Sequence, residues 1–309
     1  RYIASNGKFE KIPLPVNSSQ SNLFVNSLLE DTGRQCIWIG TEGYLFQYFP
    51  STGQMKQTEA FHNNSIKSLA LDGNGDLLAG TDNGLYVYHN DVTPLQHIIH
   101  DSRNIQSLTN NIIWNIFADQ EHNIWLGTDY GISLSRYNSA LQFIPISQIT
   151  GTGDGNQFYS LFRDSKGFYW FGGTNGLIRF TDPAGDKHNA IWYRMGDKTY
   201  PLSHNRIRHI YEDKEQQLWI ATDGSINRYD YATRQFVHYN IVDSTGTYNT
   251  NWTYYMFEDN AGHLWISTCL GGIFVVDKHK LMQSKVGQYV AEYNYSIHNG
   301  LSGMFINQI

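Results

Sequence analysis

Three observations predict an all-β fold, a β-propeller of four-stranded blades: a repeated segment, its period and the strand-like pattern within each copy. Six copies share the outline of a strand, a turn and a second strand, as in QCIWIGTEGYLFQY and NIWLGTDYGISLSRY. Successive anchor positions lie 40, 47, 45, 49 and 46 residues apart, and they are Trp38, Leu78, Trp125, Trp170, Trp219 and Trp265. A period of about 45 residues matches a propeller blade and exceeds that of ankyrin or leucine-rich repeats.

Each repeat reads as four elements in a fixed order. An apolar segment such as IIWNIFAD comes first, and its two apolar faces predict a strand buried on both sides. An acidic residue then opens a tight turn, in the order Asp31, Asp72, Asp119, Asp164, Asp213 and Asp259. The Trp-centred strand follows, and a small residue after the Trp favours close approach of neighbouring strands. A second, Gly-containing turn leads to the third strand, and the fourth strand varies between copies.

The number of repeats and the two ends of the chain predict about seven blades with a split or incomplete closing blade. Residues 1–21 read as the end of a split blade, and residues 304–309 read as the first strand of the next one. The predicted blades between them are 22–63, 64–109, 110–157, 158–204, 205–250 and 251–303. Because no single repeat can bury its own faces, several must stack.

Composition limits the possible functions. The net charge is −6 and no run of five basic residues occurs, so contact with nucleic acid is not expected. No apolar run approaches the ~20 residues that span a bilayer. The two cysteines, Cys36 and Cys269, lie in different repeats and predict no disulfide framework.

Motifs for chemistry are few, and no cofactor or metal is expected. The chain has no G-x-S-x-G, phosphate-binding loop or H-E-x-x-H segment. His97 and His100 have an H-x-x-H spacing, but residues i and i+3 of a strand point to opposite faces, which disfavours a shared metal. The recurring Asp residues have a turn-forming role, so no catalytic residue is predicted.

Any ligand is expected at the end of the propeller formed by the second turns and by the loops that enter each first strand. Tyr and Trp could stack on a sugar ring there, while Asn, Asp and Arg could bond its hydroxyl groups. The candidate ligand-binding residues are Asn111, Trp114, Asp129, Tyr130, Asn175, Arg206, Asp223, Asn251 and Trp252. For each one taken singly, a loop-stabilising role is the alternative.

The repeat resembles a known family. The pattern N-x-I-x-x-I-x-x-D-x-x-G-x-L-W-I-G-T-x-x-G-L-x-R-Y is similar to the two-component regulator propeller repeat, found in periplasmic sensor regions of hybrid histidine kinases in Bacteroidetes. The matching segments are Asn111 to Tyr137, Asn205 to Tyr229 and Asp259 to Val276. Leu78 departs from the pattern at the Trp position, and Gly173 departs at the Thr position.

The resemblance implies a ligand-sensing ectodomain that is not itself an enzyme. Such a region would bind an oligosaccharide, or relay its binding, and so control polysaccharide-utilisation genes. It would be the periplasmic part of an inner-membrane protein, anchored through segments outside this chain, and a homodimer through the full-length receptor. Two alternatives remain open: a propeller polysaccharide lyase or glycosidase, and a dimerisation scaffold of the receptor that binds no ligand.

Overall fold

The computed structural model describes residues 1–15, 23–58, 61, 64–89, 94–137, 144–145, 156–181, 190–199, 201–284 and 287–309. These residues are almost entirely β-structure, as the strand-like patterning predicts. Within them, the helices are one α-helix, Lys278–Gln283, and one short 3₁₀ turn, Ile297–Asn299.

The described strands form six four-stranded sheets, each with its strands in chain order, and we number these blades 1 to 6. Blade 1 contains Val25–Asp31, Cys36–Thr41, Leu45–Phe49 and Gln54–Thr58. Blade 2 contains Ile66–Leu71, Leu77–Thr81, Gly84–Tyr88 and Pro94–Ile98. Blade 3 contains Ile113–Ala118, Ile124–Thr128, Gly131–Ser135 and Ile144–Pro145. Blade 4 contains Phe158–Arg163, Tyr169–Gly173, Gly176–Phe180 and Ile191–Tyr193.

Blade 5 contains Ile207–Glu212, Leu218–Thr222, Ser225–Asp230 and Gln235–Tyr239. Blade 6 contains Thr253–Glu258, His263–Thr268, Ile273–Asp277 and Tyr293–Tyr295. Two smaller sheets accompany the blades in the described chain. Tyr2–Ile3 pairs with Lys8–Phe9 in an antiparallel hairpin, and Ile241–Val242 pairs with Tyr289–Val290 in parallel.

The chain divides into two compact units, which we describe separately. Unit one comprises Arg1–Pro13, Asp164–Arg179 and Ile191–Ile309. Unit two comprises Leu14–Arg163 and Phe180–Ala190. Blades 5 and 6 belong to unit one, blades 1 to 3 belong to unit two, and the boundary falls within the sequence of blade 4.

The first turn of each blade, between its first and second strands, is built around the recurring Asp. One carboxylate oxygen accepts backbone N–H groups of the turn, as Asp213 does from Glu215 and Gln217 at 2.9 Å. In five blades the other oxygen accepts the indole N–H of the anchor Trp at 2.7 to 3.0 Å, in the pairs Asp31–Trp38, Asp119–Trp125, Asp164–Trp170, Asp213–Trp219 and Asp259–Trp265. Leu78 removes this bond from blade 2, where Asp72 instead accepts N–H bonds from Asn74 and Asp76.

The anchor residues form the core between neighbouring blades of the same unit. The Trp170 ring meets Tyr229 of blade 5 edge-on, with 4.9 Å between ring centres. The small residue of the second strand permits this packing: a Cβ atom added to Gly172 would lie 2.4 Å from Ile207 Cγ2 of blade 5. In unit two, a Cβ on Gly40 would likewise lie 2.6 Å from Ile66 Cγ2. The small residues therefore set the spacing between blades.

The expectation of about seven blades is wrong, because the described chain forms six complete blades and the two ends do not make another. The hairpin at residues 2–9 packs its Tyr2 ring against Trp265 and Tyr295 of blade 6. Residues 304–309 contain no strand; the Met304 carbonyl accepts the Gly272 N–H, and the Ile306 N–H donates to the Thr268 carbonyl. A further blade would need four paired strands, whereas the described strands outside the six blades form only two two-stranded sheets. The expected blade boundary at residues 21 and 22 lies outside the described residues.

Candidate ligand-binding surface

The second turns and the loops that enter the next first strand lie against each other, as the sequence predicts. The second turn joins the second and third strands of a blade. The Gly84 N–H of blade 2 donates to the Asn111 carbonyl at 2.7 Å, and the Gly176 N–H of blade 4 donates to the Asn205 carbonyl at the same distance. Within each unit these contacts place candidate residues of neighbouring blades side by side.

In unit two, the structure brings Trp114 and Asp129 together. The Trp114 indole N–H donates to Asp129 Oδ1 at 3.0 Å, and the Gln157 amide donates to the same oxygen at 2.6 Å. The Tyr159 hydroxyl donates to Gln157 Oε1 at 2.6 Å, and its ring meets Trp114 edge-on. The Lys67 ammonium lies over the Trp114 ring, 4.5 Å from its centre. The polar atoms of Trp114 and Asp129 are therefore engaged with each other and with Gln157.

The other two candidates of unit two, Asn111 and Tyr130, differ in whether the side chain is available to a ligand. Asn111 Oδ1 accepts the His100 backbone N–H at 2.6 Å, so the side chain fixes the entering loop. The Tyr130 ring stands in the second turn of blade 3 and is 51% exposed. Its backbone N–H donates to Thr128 Oγ1, which fixes the turn and leaves the ring outside.

In unit one, Asp223 lies between two arginines at the second turn of blade 5. Arg208 Nε is 2.8 Å from Asp223 Oδ1, and Arg208 Nη2 is 3.3 Å from Oδ2. Arg206 Nη1 lies 3.7 Å from the same Oδ2. The Arg208 guanidinium also lies over the Tyr254 ring, 4.6 Å from its centre. One carboxylate thus faces two guanidinium groups.

Trp252 is held beside this group by its backbone. Its N–H donates to the Asp223 carbonyl at 3.1 Å, and its carbonyl accepts the Cys269 N–H at 3.0 Å. Its φ of 55° is in the left-handed region, which is unfavourable for a bulky side chain. Nevertheless the indole is 48% exposed. The chain keeps a large apolar ring on the surface in a strained backbone conformation, and such strain is a pointer to function.

Asn251 and Asn175 complete the candidates of unit one. Asn251 is exposed beside Trp252, and its backbone N–H donates to Asn249 Oδ1 at 2.9 Å. Asn175 is exposed in the second turn of blade 4, where its carbonyl accepts the Arg194 Nε–H at 3.2 Å. The exposed apolar side chains Leu270 and Phe305 lie in the neighbouring turn and tail of unit one.

We name Arg206, Arg208, Asp223, Trp252 and Tyr254 the Trp252 cluster. Burial raises the pKa of the Tyr254 hydroxyl, against the opposing effect of the Arg208 charge. Burial likewise raises the pKa of the nearby Cys269 thiol. Both groups are therefore neutral at neutral pH, and the charges of this cluster are those of the two arginines and Asp223.

Sequence reasoning found only Trp114 of a regular position that lines this end of the blades. The second residue of each first strand is polar or aromatic, and these residues are Asn26, Lys67, Trp114, Tyr159, Arg208 and Tyr254. Two pairs of neighbours in this series are in contact: Lys67 lies over the Trp114 ring, and Arg208 lies over the Tyr254 ring. Alternation along a strand could have found all six, because every second residue of a strand shares a face.

The described residues present no arrangement suited to metal binding. No group of three or more His, Cys, Asp and Glu side chains among them is placed to hold an ion. His97 Nε2 instead contacts the Asn83 carbonyl at 2.7 Å, and His100 Nδ1 contacts the Leu108 carbonyl. In the same part of the chain, no helix has the length and apolar character to cross a bilayer.

Known proteins share both the sequence repeat and the blade structure of this chain. The family model for the two component regulator propeller matches residues 107–130, 152–175 and 201–224. The extracellular domain of a hybrid two-component system from B. thetaiotaomicron is 93% identical over 100% of this chain, with a TM-score of 0.53, and the chain spans 42% of that structure.

Two more distant proteins are also similar. Histidine kinase P4 of Formosa agariphila is 25% identical over 240 residues, which are 70% of this chain and 16% of that protein. Virginiamycin B lyase of Staphylococcus aureus is 12% identical over 84% of this chain and 83% of its own, with a TM-score of 0.63. The lyase shares the propeller fold alone at this identity.

Each of the three matched segments begins before the first strand of blade 3, 4 or 5, includes the first and the Trp-centred second strand, and ends in the second turn. The sequence repeat, the four-stranded blades and the similarity to an extracellular domain all indicate a propeller built from this repeat. The chain therefore carries repeats that match the two component regulator propeller model and is similar to the extracellular domain of a hybrid two-component system.

Proposed function

We propose that this chain is the ligand-sensing part of a periplasmic ectodomain and that it binds an oligosaccharide at the Trp252 cluster. The exposed, strained Trp252 carries the proposal. Its ring offers a flat apolar surface of the kind that stacks on a sugar ring, and Asn251 and Arg206 supply donors for hydroxyl groups beside it.

The backbone of Trp252 supports a role in sensing. Because it bonds to the second turns of both blade 5 and blade 6, a ligand held by the ring acts on both turns. Signalling requires that the ligand bind one arrangement of the ectodomain more tightly than another. In the full receptor, a homodimer anchored in the inner membrane, that difference in affinity would pass to the kinase and control polysaccharide-utilisation genes.

A thermal-shift and calorimetry screen against a panel of plant and host oligosaccharides tests the proposal. We expect at least one to raise the Tm, because a ligand that binds only the folded state stabilises it. Replacing Trp252 by Ala should weaken its binding about ten-fold. Tyr137→Ala is the matched control, since Tyr137 is 46% exposed and lies beside His122 of a first turn.

The same samples are assayed for new reducing ends and unsaturated products. Binding that depends on Trp252 without turnover supports a sensor. Turnover of the bound saccharide would support a lyase or glycosidase instead. A panel without any binder, together with concentration-dependent self-association, would support a dimerisation scaffold.

A further inference from the structure

The Trp252 cluster carries one positive charge more than its acidic residue can neutralise. Arg208 makes two close contacts to Asp223, at 2.8 and 3.3 Å, and its side chain is only 18% exposed. Arg206 approaches the same carboxylate no closer than 3.7 Å. Two guanidinium groups thus share a single carboxylate.

Arg206 is the charged group of this cluster that remains most exposed. Its side chain is 43% exposed, whereas Asp223 is only 8% exposed. Among the described residues, Asp223 supplies the only carboxylate within 4.0 Å of the Arg206 guanidinium. Arg208 is fixed from two sides, by Asp223 and by the Tyr254 ring, so it holds Asp223 in place and leaves the outer charge to Arg206.

The exposed charge lies next to the exposed ring. The Asp223 N–H donates to the Arg206 carbonyl at 3.3 Å, and the Asp223 carbonyl accepts the Trp252 N–H at 3.1 Å. Two consecutive backbone bonds therefore tie Arg206, Asp223 and Trp252 together. A guanidinium group binds the paired oxygens of a carboxylate or sulfate in a planar fork, which neutral hydroxyl groups do not match.

From this geometry, and resting on the proposed function, we propose that the saccharide bound at the Trp252 cluster carries an anionic group. Trp252 stacks on a ring of the sugar, and Arg206 binds a carboxylate or sulfate ester of that ring or of the next one. Asp223, already held by Arg208, positions Arg206 for this contact.

Calorimetry with matched acidic and neutral saccharides tests the inference on the intact chain. The probes are trigalacturonate, its fully methyl-esterified form, a galactotriose and its sulfated derivative. At about 50 mM salt we expect an acidic probe to bind about five-fold more tightly than its neutral counterpart, and at about 500 mM salt the preference should shrink. Which acidic probe is preferred distinguishes the carboxylate from the sulfate.

Two variants assign the preference to Arg206. Arg206→Gln should bring acidic and neutral probes to equal affinity, while Arg206→Lys should keep part of the preference because the charge remains. Arg103→Gln is the matched control, since Arg103 is also exposed and paired with one carboxylate, that of Asp101. Unchanged Tm values of the variants establish that they fold.

The possible outcomes distinguish failure of the anionic-ligand inference from failure of the proposed oligosaccharide sensing. If the oligosaccharides that bind this chain are all neutral, or if the acidic preference survives in Arg206→Gln, the inference is overturned and oligosaccharide sensing stands. If neither these probes nor any member of the oligosaccharide panel binds, the proposed function is overturned and the inference with it.

Discussion

The two turn-bearing ends of the blades use similar hairpins for different purposes. At the first turns, polar and aromatic groups bond to other groups of the protein. Asp213, for example, accepts hydrogen bonds from the turn backbone and the Trp219 indole and pairs with the buried Lys278 ammonium. At the other end, Tyr130 of a second turn and Arg206 and Trp252 of entering loops leave much of their surface exposed. The same Asp opens the first turn of every blade, whereas the second turns carry residues as different as Asp82, Tyr130 and Leu270. Repetition therefore marks the framework here, and variation marks the end where large side chains are exposed.

Removal of a buried charge from the first-turn end should have the largest effect on stability. Lys278 Nζ lies 2.8 Å from Glu258 Oε1 and 3.2 Å from Asp213 Oδ2, and the side chain is 1% exposed. Burial lowers the pKa of Lys278, but Glu258 and Asp213 outweigh this effect and hold it above its ordinary value. Replacing Lys278 by Met leaves two buried carboxylates without their counter-ion and should cost about 3–5 kcal/mol of unfolding free energy, measured by urea denaturation.

Lys280→Met provides the control for that measurement. Lys280 belongs to the same helix but is exposed, and its contacts to Asp277 and Glu292 are long, at 3.6 and 3.7 Å. Exposed pairs contribute about 1 kcal/mol or less. Equal losses in the two variants would contradict the view that the first-turn end is the framework.

A smaller difference in unfolding free energy is expected between a buried anchor Trp and the exposed Trp252. Trp219→Phe removes the 2.9 Å indole bond to the buried Asp213 carboxylate and should cost about 2 kcal/mol of stability. Trp252→Phe should change stability by less than about 0.5 kcal/mol, because half of the indole is exposed and its backbone bonds do not involve the side chain. Urea denaturation of both variants checks the prediction, and a larger loss in Trp252→Phe would show that Trp252 belongs to the framework.

The comparison also explains how much the sequence could predict. The Asp and Trp residues lie six or seven residues apart in five repeats, so the four-stranded blades and the turn role of Asp213 were predictable from one copy to the next. The left-handed backbone of Trp252 was not, because φ at that position depends on bonds to Asp223 and Cys269, which are distant in sequence. Arg206 and Arg208 could be identified in the sequence. Their unequal exposure could not, because it follows from the packing of Tyr254 against Arg208. The number of blades was overestimated because the two ends of the chain were combined into one further blade, although neither end supplies its second strand.

Each first strand runs between the two ends of its blade, and His209 in the first strand of blade 5 should make stability depend on pH. The His209 ring stacks on Tyr255 with 4.0 Å between ring centres, and its Nδ1 accepts the Met256 backbone N–H of blade 6 at 3.2 Å. Burial lowers the pKa of His209 from 6.5 to about 3. The unfolded chain binds this proton near pH 6.5 and the folded chain does not, so the contribution of His209 to stability is complete above pH 6.5 and is lost as the pH falls toward 3.

Asn is the matched replacement, because Asn115 occupies the same position of blade 3 and its Oδ1 accepts the Leu161 N–H at 3.3 Å. His209→Asn should keep the bond between strands and remove the titration. We therefore expect urea denaturation to give a wild-type unfolding free energy that falls between about pH 6 and 4, and a variant whose free energy falls less over that interval. The carboxylates with lowered pKa values, such as Asp259 and Asp277, add their losses at lower pH in both proteins. Parallel pH profiles between pH 6 and 4 would mean that His209 takes up its proton in the folded state near pH 6.5, and that its bond to Met256 contributes little to joining blades 5 and 6.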